Sequence, residues 1–128
     1  MAETPVQGCP FCVENGMVAI IAQTDRAYLI AVRNGAEVVT GCFFIIPKQH
    51  VESVLDLPDD WQAVFNELLW QAPGISGSSF NVSYNSGRAA GQRVAHVHAW
   101  VVLRSGEEGK PSHELGFAAL IRNINAHQ

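Results

Sequence analysis

Two histidines stand two residues apart in His96-Val97-His98-Ala99-Trp100-Val101-Val102. Read as a β-strand, residues i and i+2 project from one face. Both imidazoles then point the same way, while Val97, Ala99 and Val101 face a core. Near neutrality imidazole is a nucleophile, a proton carrier or a metal ligand. Side-by-side rings suit a metal site, or a site where one ring attacks a substrate. A second reactive pair lies in Cys9-Pro10-Phe11-Cys12. That spacing lets two thiolates bind one Zn²⁺. No second such pair exists, so any further ligands must come from distant positions. The alternatives are two free thiols or a redox pair, and no strand–helix context of the thioredoxin kind supports the latter. Cys42 stands apart and reads as a small buried residue.

The elements that must position these groups follow from periodicity. Met17 to Thr24 and Arg26 to Arg33 are rich in aliphatic and β-branched residues and read as strands. Asn34-Gly35 is a turn signal. Gly41 to Ile46 reads as a buried strand closed by Pro47. The period then changes. Pro58 suits a first helical turn, and Asp59 and Asp60 suit the positive end of its macrodipole. Trp61, Val64, Phe65, Leu68 and Leu69 share one helical face. Pro73-Gly74 ends the helix. A strand from Phe80 to Tyr84 leads into a glycine-containing loop, Asn85 to Gln92, and then into the histidine strand. Pro111-Ser112 starts a short C-terminal helix whose Phe117, Leu120, Ile121 and Ile124 share a face. The class is α+β, with a mainly antiparallel sheet, one central helix and a single domain over residues 1–128.

Composition narrows the partners. The chain has 128 residues and a net charge of −4, so it carries no general basic footprint for nucleic acid. No apolar run is long enough to span a membrane. The first residues lack the basic flank and apolar stretch of a secretory signal, and three cysteines do not form a secreted disulfide framework. A cytoplasmic protein is the expectation.

The histidine strand resembles the His-φ-His-φ-His-φ-φ signature of the histidine triad (HIT) superfamily, with Trp100 at the third histidine's place. Three more elements match in order. Asn85-Ser86-Gly87, Ala90-Gly91-Gln92, Val94 and His96 resemble the family's Asn-x-Gly…Ala-Gly-Gln-x-Val-x-His loop. Phe43 to His50 resembles its Ile-Pro-Lys-x-His element, and Cys9 to Cys12 the Cys-x-Phe-Cys of many bacterial members. The resemblance implies a HIT-like fold, a homodimer, and a small nucleotide as substrate. It implies that His98 attacks the α-phosphate and forms a nucleotidyl-imidazole. It also implies that Asn85, Gln92 and backbone N–H groups near Gly91 hold the phosphate. In zinc-containing branches the ligands correspond to Cys9, Cys12, His50 and His96. A Cys₂His₂ set leaves no open position, so the ion is structural.

Three positions depart from the family pattern. Trp100 has one indole donor and no acid–base capacity near neutrality; it can stack on a base, narrow the phosphate pocket or pack into the core. Arg93 stands where many members carry Ser or Thr, and can grip a phosphate bidentately or point to solvent. Ala27 to Ala31 lacks the acidic residue that contacts ribose. These departures leave two functions open: a nucleotide hydrolase or nucleotidyl transferase, or a degenerate HIT domain that binds nucleotide or a protein without turnover. A cupin metal site is a poor third, because no glutamate follows His98 at the required distance. Trp61 and Trp70 on the central helix are candidates for a dimer interface, or equally for the core.

Overall fold

The computed structural model describes residues 5–32, 39–104, 121–122 and 124–125. Five strands form one open antiparallel sheet: β1 (Ala22–Gln23), β2 (Ala27–Ala31), β3 (Val39–Pro47), β4 (Ser79–Tyr84) and β5 (Ala99–Arg104), in the order β1-β2-β3-β5-β4. The helix α1 (Trp61–Leu69) packs on one face. Alternation along each strand explains both faces. Leu29, Phe43, Ile45, Ala99, Val101 and Leu103 turn toward α1 and meet Trp61, Phe65 and Leu68. Tyr28, Ile30, Cys42, Phe44, Ile46, Trp100 and Val102 turn the other way. Cross-strand register holds Ile30 beside Phe44 and Phe44 beside Trp100.

The helix has the apolar face its periodicity predicts, but it begins at Trp61 and ends at Leu69. Pro58 lies outside it, and hydrogen-bonded turns carry the chain from Leu69 to Ala72 ahead of Pro73. Asp60 occupies the N-cap without a side-chain cap. Its carboxylate is held instead by a bidentate pair with Arg26 at 2.6 and 2.8 Å. Trp61 is buried and donates from its indole to the Tyr84 hydroxyl at 2.7 Å, which ties α1 to β4. Trp70 is 75% exposed.

Two strands are shorter than the sequence suggests. Of Met17 to Thr24, only Ala22 and Gln23 are strand. Val18 and Ile20 pack on the cysteine-bearing N-terminal segment, and Met17 and Ile21 are exposed. The histidine strand begins at Ala99, after both histidines. The chain there is held by other bonds: His96 N donates to Val94 O, and Val97 N donates to Val51 O at 2.7 Å. The inward side of the pattern holds, with Val97, Ala99 and Val101 all buried. The Asn34-Gly35 turn and the start of the C-terminal helix at Pro111 lie outside the described residues. Residues 121–122 and 124–125 are helical, and Ile124 is buried against Trp100 and Val102. Among the described residues no helix is long and apolar enough to cross a membrane.

Candidate active site and metal corner

The N-terminal segment folds over the end of β3, bringing Cys9 and Cys12 to His50 and His96. One ligand atom from each of the four lies within 4.8 Å of the others. Cys12 Sγ is 3.2 Å from His50 Nδ1 and 3.7 Å from His96 Nδ1; Cys9 Sγ is 3.5 Å from His96 Nδ1. A tetrahedral zinc with ordinary Zn–N and Zn–S bonds would set such edges at about 3.3–3.8 Å.

The outer nitrogens explain why the inner ones face a cation. His96 Nε2 lies 2.7 Å from Pro47 O, and a carbonyl only accepts, so that nitrogen donates and Nδ1 keeps its lone pair. His50 Nε2 faces Glu52 Oε2 at 3.4 Å, with the same consequence. The two Nδ1 atoms then face each other at 3.1 Å, lone pair to lone pair. A cation between them resolves that contact, and oxygen partners on the far nitrogens are what metal-bound histidines carry. Burial holds His96 down to about 4, so the ring is neutral at ordinary pH, as a ligand must be.

His98 faces a different environment. It lines an open cavity of about 1410 Å³ with Phe11, Phe44, Asn85, Gly91 and Trp100. Its Nδ1 donates to the His96 carbonyl at 2.9 Å, which leaves Nε2 without a protein partner among the described residues. Phe11 and Phe44 flank the ring at centroid distances of 4.9 and 4.7 Å. Burial lowers the basicity of His98 below the usual imidazole value, and the bond to His96 partly offsets this.

The loop from Asn85 to Arg93 walls the cavity. Gly87 and Gly91 both adopt φ +95°, a region that disfavours side chains. At Gly91 an added Cβ would also stand 3.3 Å from Asn85 Nδ2. Gln92 is buried, and its carboxamide is engaged by backbone: Gly87 N donates to Oε1 at 2.7 Å, and Nε2 donates to Glu52 O and Val94 O at 3.0 Å each. It pins the loop and has no donor left over for a phosphate. Asn85 is half-buried at the cavity wall, and Arg93 is exposed there.

Trp100 also lines the cavity, on the same sheet face as His98, and is 5% exposed. It meets Phe44 edge-on at 4.7 Å and packs with Cys42, Val102 and Ile124. Its buried indole N–H has no partner among the described residues. Tyr28 is fully buried and donates to Phe11 O at 2.6 Å; Phe11 lines the cavity and Tyr28 does not. Sequence reasoning missed Phe44, Arg88 and Arg122 in the cavity wall. It also missed the acceptors Pro47 O and Glu52. None of them carries a local pattern, since each arrives by tertiary folding.

A model of the HIT domain family matches residues 18–107, a span holding His50, the loop and both central histidines. The chain belongs to the HIT domain family. Cys9 and Cys12 lie upstream of the matched span. The HIT relative hnt1, an adenosine 5'-monophosphoramidase of Schizosaccharomyces pombe, is 29% identical over 102 residues, covering 78% of this chain and 77% of hnt1. A zinc-bound histidine triad family protein from Mycobacterium smegmatis is 25% identical, with a TM-score of 0.61 over 93% of this chain and 97% of that one. A histidine triad protein from Clostridium difficile, 24% identical, shares the fold with a TM-score of 0.60 over 83% of this chain and 98% of that one.

Proposed function

We propose that this HIT protein transfers or hydrolyses nucleotides at the α-phosphate through a nucleotidyl-histidine intermediate on His98. The observation that carries the reading is the single hydrogen bond from His98 Nδ1 to the His96 carbonyl. It fixes the tautomer and leaves the Nε2 lone pair as the nucleophile in a cavity wide enough for a nucleotide. The aromatic rings of Phe11 and Phe44 hold the imidazole in place from both sides. Asn85 and the backbone near Gly91 supply neutral donors to the phosphate, Arg93 a charged one, and Trp100 closes the floor. Gln92 acts by holding that loop in shape. Nucleoside phosphoramidates and dinucleoside polyphosphates are the substrate types.

Cys9, Cys12, His50 and His96 would hold a structural Zn²⁺, which supplies charge neutralisation and rigidity and no chemistry on the substrate. Through His96 it fixes the carbonyl that orients His98. Trp70 and the edge-strand residues Phe80 and Val82 are exposed apolar surface available to a homodimer. Sedimentation of the wild type against Trp70→Glu tests the helix part of that interface, and unchanged mass would remove it.

The test of the reaction is intact-protein mass after brief mixing with adenosine phosphoramidate or diadenosine tetraphosphate. Wild type gains one adenylyl group and turns substrate over; His98→Ala does neither. Turnover retained by His98→Ala would end the reading.

A further inference from the structure

Resting on that reading of His98, we infer that this site is built for substrates whose leaving group is a polyphosphate rather than an amine. Arg88, Arg93 and Arg122 all line the cavity that holds His98. The chain has only eight Lys and Arg residues and a net charge of −4, so three guanidiniums in the wall around one cavity are a local reversal of its overall sign. Their pairing state sets them apart from the other described arginines. Arg26 is locked to Asp60, and Arg104 donates to Asn81. Arg88, Arg93 and Arg122 are exposed and make no ion pair among the described residues. The carboxylate on the same wall, Glu52, faces His50 Nε2.

Two of the three arginines stand on a braced scaffold. Arg88 opens the short 3-10 turn Arg88–Ala90, between Gly87 and Gly91. Arg93 follows directly on the buried Gln92 that ties Gly87 to the Glu52 and Val94 carbonyls. Ser86 adds a further tie, accepting from Val54 N at 3.2 Å. The third, Arg122, comes from the C-terminal helical segment. Guanidiniums brought from separate parts of the chain suit an extended anion with several phosphoryl groups, each able to take a bidentate pair. A phosphoramidate offers one phosphoryl group and would leave most of this charge unused.

The chemistry of departure points the same way. An amine leaves phosphorus only after its nitrogen gains a proton. Of the described residues lining the cavity, Trp100 has no acidic proton near neutrality. His98 spends its N–H on the His96 carbonyl, and Glu52 is turned to His50. A polyphosphate needs no proton, since a terminal phosphate is ionised above pH ~6. His98 Nε2 forms the bond to the α-phosphorus while the bond from phosphorus to the bridging oxygen breaks. The electron pair stays on that oxygen, and the arginines hold the added negative charge. Water then bonds to phosphorus, the N–P bond returns its pair to Nε2, and one proton goes to solvent. The products are a nucleoside monophosphate and the remaining nucleoside polyphosphate.

The experiment compares kcat/KM for diadenosine tetraphosphate and adenosine phosphoramidate on the full zinc-supplied chain, with adenylyl-protein mass followed for each. The expected result is at least a roughly tenfold preference for the tetraphosphate. Arg88→Ala and Arg93→Ala should each lower its kcat/KM on the order of tenfold, the loss of one charge-assisted pair. Arg93→Lys should recover part of the Arg93→Ala loss, and in Arg88→Ala the phosphoramidate rate should stay within about twofold. Adenylation by both substrates with equal or better phosphoramidate turnover would overturn this inference and leave the His98 reading standing. So would an Arg88→Ala variant that slows both substrates alike, since that guanidinium would then serve only the shared α-phosphate. Adduct from neither substrate would overturn both.

Discussion

His96 and His98 are two residues apart, have the same side chain, and share a neighbour in Phe11, yet the fold assigns them opposite nitrogens. His96 gives its Nε2 proton to Pro47 O and turns the Nδ1 lone pair inward to two thiols and a second imidazole. His98 gives its Nδ1 proton to a carbonyl and keeps the Nε2 lone pair for an open cavity. The metal corner is closed, with every ligand met by another. The cavity is open, and its arginines make no ion pair among the described residues. Which hydrogen bond the second nitrogen makes decides where the same ring turns its lone pair, into a closed corner suited to a metal or into an open cavity.

The comparison breaks most sharply at His98. His98→Ala should reduce turnover by at least ~10³-fold, as for loss of other covalent nucleophiles, while leaving one zinc per chain by atomic absorption. Loss of the metal as well would mean that the two histidines are not separable. Next comes Cys12→Ala, which should abolish zinc binding and destabilise the fold by on the order of 3 kcal/mol, roughly 10 °C in Tm. Chelation of the wild type should reproduce most of that shift in a thermal melt; an unmoved melt would show that the corner holds without an ion. A smaller effect is expected for Gln92→Ala. It removes three buried hydrogen bonds, so about 1–3 kcal/mol of local order, seen as faster amide exchange at Gly87 and a rise in KM with zinc content unchanged. Unaltered exchange there would show that the loop holds its shape without Gln92.

The smallest effect sharpens the contrast by counting thiols. Cys42 is buried between Trp100 and Val102, and burial pushes its thiol up to about 12. At pH 8 its thiolate fraction is on the order of one in ten thousand. With zinc bound, a thiol reagent should label no cysteine quickly. With chelator it should label two, Cys9 and Cys12, and only denaturant should expose the third. Rapid labelling of Cys42 in the folded protein would contradict its burial.

The antiparallel α+β frame, the helix face and the cysteine pair were legible in the chain because each leaves a local mark: alternation, a 3.6-residue period and a C-x₂-C spacing; His50 and His96 joined that pair only through the resemblance to the HIT family. The histidine segment was read as strand because its side chains alternate, and they do. Its backbone instead bonds to Val51 and Val94, which no local pattern records. Met17 to Ile21 misled for the same reason, its aliphatic side chains serving the N-terminal cluster in place of a ladder. Gln92 looked like a phosphate donor because its type fits. Only tertiary folding shows that Gly87, Glu52 and Val94 have already taken it up. The gathering of Arg88, Arg93 and Arg122 is of this kind too, since two come from the loop and one from the far end of the chain.

The acceptor that orients His98 is a peptide carbonyl, where the catalytic imidazoles of serine-hydrolase triads lean on a carboxylate. That has an unusual genetic consequence. The partner belongs to the main chain, so no codon change at position 96 can delete it, and an alanine scan would pass over it in silence. Nor does it protonate in acid. The orientation of the His98 ring is inherited from the path of the chain, and the tool that can probe it is backbone chemistry. An ester in place of the peptide bond between His96 and Val97 would weaken that acceptor and delete the Val97 N–H bond to Val51 O, while leaving every side chain as it was.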